Sequence, residues 1–163
     1  YKLESNLEEI SGLGLLPIET IIETIKTTTQ YTNTIKNVSE GMLEGMKGLS
    51  VTGYEIHQGY SYLDKYFIEK KSKEEIVKEC IFGDEKLKGM IKGNIMGTYI
   101  HGIFDNSEFT NYLLNKIREQ KGLDKIDKNF SFSEYKNREY DKLAQMLRDN
   151  INIKKIYEIM GCD

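Results

Sequence analysis

Tryptophan is absent from this 163-residue chain, proline occurs once, and there are only two cysteines and two histidines. Each scarcity excludes something. Cys80 and Cys162 have neither metal-ligand spacing nor the density of a disulfide framework, which points to a reducing, cytoplasmic setting. No run reaches the roughly 18–20 consecutive apolar residues that a bilayer span needs, and no signal-peptide pattern opens the chain. Membrane association is therefore not expected. Charge of one sign is also lacking. Acidic and basic residues make up 30% of the chain yet nearly cancel to −3, so the broad positive field of a nucleic-acid binder is missing. No Gly-Lys-Ser/Thr phosphate loop occurs, and the Gly12/Gly14 pair is too short for a dinucleotide fingerprint. What remains is 39% hydrophobic residues with 11 tyrosines and 6 phenylalanines, enough for one core of domain size. The first residue is Tyr1 rather than Met, which suggests a piece of a longer polypeptide.

The first hundred residues read as strands and turns. Residues 11–18 pack apolar side chains between glycines and end at Pro17, in the manner of a turn. The β-branched run Ile25–Ile35 predicts a strand. Gly41, Gly45 and Gly48 then punctuate a hairpin into a strand from Leu49 to His57. Tyr66–Glu69 and Ile76–Phe82 suggest a second hairpin across a solvated connection at residues 70–75. A strand over Asn94–Ile100 ends at His101-Gly102. The last sixty residues read as helices. Asp105 with Glu108 resembles a capping box ahead of Phe109, Leu113 and Ile117, and Gly122 is placed to end that helix. Ser131 with Glu134 opens a second helix, and Asn152 and Gly161 bracket a short third one. Strands followed by helices suggest α+β, but an α/β domain without its alternating first half would leave the same trace.

Candidate chemistry centres on the histidines. His101 closes a strand in Gly97-Thr-Tyr-Ile-His-Gly-Ile-Phe-Asp105, where the following glycine frees the backbone to turn beside the imidazole. A base at a strand end next to a loop is where α/β enzymes build sites. Its near-neutral intrinsic pKa suits taking a proton from a thiol and returning it to leaving ammonia. A hydrogen-bonded structural histidine is the other reading, and spacing alone does not decide. In Val51-Thr-Gly-Tyr-Glu-Ile-His-Gln-Gly59, a strand would put Glu55 and His57 on one face and Tyr54, Ile56 and Gln58 on the other. The acid and imidazole could orient a polar substrate or simply pair with each other. No zinc site is expected, since the two histidines lack nearby cysteine or a second carboxylate at ligand spacing. Cys80 and Cys162 lack the Gly elbow and adjacent base of an attacking thiolate and read as inert.

Four segments in order carry a family resemblance: Glu4-Ser5 with Gly12-Leu-Gly-Leu-Leu16, Gly53-Tyr-Glu-Ile-His57, Gly97-Thr-Tyr-Ile-His-Gly-Ile-Phe104, and Leu143-Ala-Gln-Met-Leu-Arg148. Together they resemble the glutamine amidotransferase domain of cobyric acid synthases and the related cobyrinic acid a,c-diamide synthases. The resemblance implies a class I glutamine amidotransferase fold, a flavodoxin-like α/β sandwich, of which residues 1–163 are one partial domain. Its nucleophile-bearing first half, with a cysteine on a Gly-rich elbow, is expected a short way before Tyr1. His101 is then the catalytic base, while Tyr54, Glu55 and His57 line or support the glutamine site. Many class I relatives carry a Glu two residues after the base. Here that position is Ile103, leaving the base unassisted or oriented by Asp105 or Glu55. Gln58-Gly-Tyr-Ser61 likewise departs from the polar run often found there.

The implied partners are glutamine, an N-terminal ATP-dependent synthetase domain and, through that domain, a corrin substrate. No cofactor or metal is expected in this stretch, with ATP and Mg2+ belonging to the synthetase domain. Another amidating ligase, making the a,c-diamide or modifying cell-wall lipid precursors, is a rival within the class. A non-catalytic α/β docking module is the rival outside it.

Overall fold

The computed structural model describes residues 6–36, 41–83, 86–126 and 131–161. Glu4, Ser5 and Cys162 lie outside them. The described chain is mixed, with strands followed by helices, in two units, residues 1–130 and 131–163.

The first unit is built on a long antiparallel hairpin. β1 (Ile18–Thr34) pairs with β2 (Ser50–Leu63), in register from Lys26↔Gln58 to Thr34↔Ser50. Both strands exceed the sequence expectation. β1 begins seven residues before Ile25, and β2 runs six past His57. A register shift between Ile21 and Lys26 lets them continue, because β1 there carries extra residues opposite Gly59. Gly59 takes a φ of +80°, and a Cβ on it would overlap the Ile21 carbonyl. The expected glycine-rich connection is present too, with Gly41, Gly45 and Gly48 all at positive φ and Gly48 N–H donating to Ile35 O.

The segment from Tyr66 to Phe82 corrects the sequence reading. It forms two short helices, α1 (Lys65–Lys70) and α2 (Lys73–Glu79), rather than a hairpin. Asp64 caps α1 by accepting from Phe67 N–H. Ser72 and Glu75 make a reciprocal capping box on α2. Side-chain caps and Lys/Glu-rich helix interiors thus outweigh the β-branched and aromatic residues. Only the end of the segment pairs with strand, through a Cys80↔Met90 bridge and Ile81 N–H donating to Gly89 O.

The strand expected at Asn94–Ile100 is divided. β3 (Gly89–Lys92) and β4 (Ile95–Thr98) form their own hairpin, while β5 (Ile100–His101) joins the edge of β2. Thr98 causes the break, as its hydroxyl donates to Lys88 O and accepts from Ile100 N–H. Those bonds replace ladder bonds, and the chain changes sheets at Tyr99.

A 3-10 turn (Ile103–Asp105) leads into α3 (Ser107–Gln120). The helix cap is Asn106 rather than Asp105, and its side chain makes no cap bond. Instead Asn106 reaches β2, where Oδ1 accepts from Thr52 N–H at 2.8 Å and Nδ2 donates to Thr52 O at 2.8 Å. Phe109 and Leu113 of α3 share one core with Val51, Ile100, Ile103, Ile35 and Phe82. Burying each such side chain contributes about 1.5–3 kcal/mol. The second unit holds α4 (Phe132–Asn150), capped by Ser131, and α5 (Ile153–Met160), capped by Asn152 and closed by Gly161 in a left-handed conformation. These bounds match the sequence expectation.

Candidate active site

Strand pairing decides which candidates meet. Tyr54 stands directly opposite His101 across β2 and β5, and directly opposite residues of an antiparallel pair share a face. Both are exposed. Their neighbours Glu55 and Ile100 pair in turn and are buried at 5% and 3% exposure. Tyr54 and His101 therefore come together on the open face, with Glu55 and His57 beneath the sheet on the packed one. Gly53 makes this approach possible, since a Cβ there would collide with the His101 carbonyl and the Ile100 side chain.

On the open face, His101 Nδ1 lies 3.1 Å from the carbonyl oxygen of Tyr99. A carbonyl only accepts, so Nδ1 is the donor in this contact. No carboxylate among the described residues bonds to this imidazole. Gly102, with φ +77°, turns the chain away immediately after it. Beside His101 opens a cleft of about 330 Å³ lined by Gln30, Tyr31, Thr32, Thr52, Gly53, Tyr54, Gly102 and Asp105. Ile103 is buried in the core and Glu55 is occupied elsewhere, which leaves Asp105 as the carboxylate nearest that turn.

On the packed face, Glu55 is held at both oxygens. Oε1 is 2.9 Å from His57 Nε2, and Oε2 is 2.9 Å from Lys88 Nζ. Burial pushes this carboxyl up, but hydrogen bonds and charges from His57 and Lys88 outweigh it and hold the pKa below the usual range. His57 Nδ1 is 2.6 Å from Gly59 O, so both ring nitrogens face oxygen acceptors. The imidazole also stacks on Tyr99, with centroids 4.1 Å apart and planes 29° apart. Of the two readings the sequence left open for Glu55 and His57, they pair with each other.

Cys80 caps α2 at half-burial. Desolvation first, and then the Glu79 charge, push its thiol above the ordinary value, opposite to what an attacking thiolate needs. Among the described residues no three His, Cys, Asp or Glu side chains gather as a metal-binding group, and no helix is long and apolar enough to cross a membrane. Lys88 and Tyr99 are the residues that sequence reasoning missed. Tyr99 lay inside the Gly-Thr-Tyr-Ile-His-Gly motif, but Lys88 had no local signal because its partner is 33 residues away.

The geometry coincides with a family match. A family model for the CobB/CobQ-like glutamine amidotransferase domain matches residues 1–109. The chain belongs to that family. It is similar to the cobyric acid synthase of Thermoanaerobacter sp. (strain X514), 42% identical over 98% of this chain and 31% of the relative. The cobyric acid synthase of Caldanaerobacter subterraneus subsp. tengcongensis is 40% identical over 98% of this chain, and that of Thermodesulfovibrio yellowstonii 37% over 99%. The chain spans under a third of the length of these curated relatives. Both His101 and the Tyr54–Glu55–His57 run fall within the matched residues.

Proposed function

We propose that this chain is the C-terminal part of the glutaminase domain of a cobyric acid synthase, with the class I flavodoxin-like fold, and that His101 is its catalytic base. The observation that carries the reading is the exposed imidazole at the sheet edge, with Nδ1 satisfied by a backbone carbonyl and its strand partner Tyr54 lining a cleft. In the proposed reaction, Nε2 takes the proton of a cysteine thiol supplied by sequence preceding Tyr1. The thiolate attacks the side-chain amide carbon of glutamine. As the carbon–nitrogen bond breaks, the imidazolium returns its proton to the nitrogen and ammonia leaves. Water then cleaves the thioester to release glutamate and the thiol. Tyr54 lines the cleft where glutamine would sit, and Glu55 and His57 support the site from below. Ammonia passes to an ATP-dependent synthetase domain, which amidates corrin-ring carboxylates during cobalamin biosynthesis. No ATP chemistry is assigned to residues of this chain.

His101→Ala in the full-length protein is expected to lower glutaminase turnover by about 10²–10⁴-fold, read as ammonia release, with the fold retained by circular dichroism. A mild loss would make His101 structural. The 163-residue chain alone should release no ammonia from glutamine, and a version extended upstream should regain activity. Thioester trapping on Cys80 would overturn the assignment of the nucleophile.

A further inference from the structure

The Glu55–His57–Lys88 cluster is expensive to desolvate and takes no part in the proton transfer above, although Lys88 lines a cavity with Thr20, Ser61 and Tyr99. What the cluster touches is Tyr99. His57 stacks under the Tyr99 ring at 4.1 Å. Lys88, whose amine pairs with Glu55, accepts the Tyr99 backbone N–H on its own carbonyl at 3.0 Å. The Tyr99 hydroxyl lies 2.5 Å from Ser61 Oγ, which in turn lies 2.6 Å from Thr20 Oγ1. Tyr99 is thus gripped at its ring, its hydroxyl and its amide. Its remaining polar group, the carbonyl oxygen, receives Nδ1 of His101.

We infer that Tyr99 is the positioning residue for His101, fixing the Nδ1–H tautomer through its main-chain carbonyl, with the Glu55–His57–Lys88 cluster holding that carbonyl in place. This rests on the reading of His101 as the base. In it, a backbone oxygen does the orienting that a carboxylate would otherwise do. The physical need is specific. An imidazole free to rotate or to carry its proton on Nε2 cannot accept a thiol proton there. An exposed ring on an edge strand of only two residues has little else to stop it. The cluster supplies the missing rigidity from the opposite face, and its Glu55–Lys88 ion pair ties β2 to the segment just before β3.

The test uses the full-length protein labelled with 15N at histidine, with the His101 signals assigned by their loss in His101→Gln. The neutral His101 ring is expected to carry its proton on Nδ1. A ring protonated on Nε2 overturns the inference, and this measurement needs no variant of Tyr99. Tyr99→Leu removes the stack and the hydroxyl anchor. It should mix the two tautomers and lower kcat by about 10–100-fold, as small misplacements of a catalytic group do, with KM for glutamine little changed. Tyr99→Phe keeps the stack and should restore most of kcat and the native tautomer. A folded Tyr99→Leu protein with unaltered kcat, or one altered only in KM, defeats the inference. Should His101→Ala itself remain fully active, the glutaminase reading fails, and the tautomer measurement still decides whether Tyr99 orients the ring.

Discussion

At the residue scale, the largest energetic commitment is Glu55. Desolvating a carboxylate costs several kcal/mol, offset here because one oxygen meets the Lys88 ammonium and the other the His57 ring, each at 2.9 Å. Removing only the charge leaves the Lys88 ammonium without its counter-ion. Glu55→Gln is therefore expected to destabilise the fold by about 2–4 kcal/mol, measured by urea denaturation. The sign of the pH dependence follows. A carboxyl whose folded-state pKa lies below its unfolded value contributes fully above the ordinary carboxylate range and loses that contribution as pH falls through it. The wild-type urea midpoint should drop over that acidic interval more steeply than that of Glu55→Gln. A parallel decline would mean that Glu55 is not ionised in the folded state. Cys80 offers a second check. With its thiol pushed up by burial, it should react with iodoacetamide at neutral pH more slowly than a free cysteine in a peptide. Rapid labelling would contradict that environment.

At the scale of elements, two local devices hold β2, the strand against which β5 places His101. Gly59 accommodates the register shift in β1, and any side chain at its φ of +80° meets the Ile21 carbonyl. Gly59→Ala should cost about 1–3 kcal/mol in thermal or urea unfolding. Asn106 bridges from the start of α3 to both backbone groups of Thr52, two positions along β2 from the Tyr54 partner of His101. The site's rigidity thus depends on Asn106, one residue past the Asp105 that local patterning assigned to helix capping. The same scale explains the misread helices. Tyr66–Glu69 and Ile76–Phe82 carry strand-favouring residues, yet Asp64 and Ser72 stand at cap positions with the correct spacing to Phe67 and Glu75. A cap satisfies otherwise orphaned N–H groups, which a marginal strand propensity does not offset. The Ser72–Glu75 signal was legible in the sequence. It lay in a stretch whose charge suggested a solvated connection instead.

At the scale of the whole molecule, β1 and β5 are the outer strands of the three-stranded sheet, and β1 carries Ile22 and Ile25 in exposed positions, the latter 74% exposed. A long edge strand with apolar side chains favours pairing with another chain. The 163-residue chain should accordingly self-associate with rising concentration in sedimentation velocity, and a monomer at all concentrations would count against that edge being open. The sequence by itself determined the polarity of the fold, strands before helices, because periodicity and caps act within a few residues. It also determined the two motifs around Tyr54 and His101, and the alternation that puts Glu55 and His57 on one side of β2. Only the tertiary structure decided that Tyr54 and His101 share the opposite, open face, because that depends on how β5 registers against β2. The placing of Lys88 on Glu55, and of the Tyr99 carbonyl on His101, was likewise beyond local pattern. Those contacts follow from where the chain leaves one hairpin for another sheet, and a bond between residues far apart in sequence leaves no periodic trace in either.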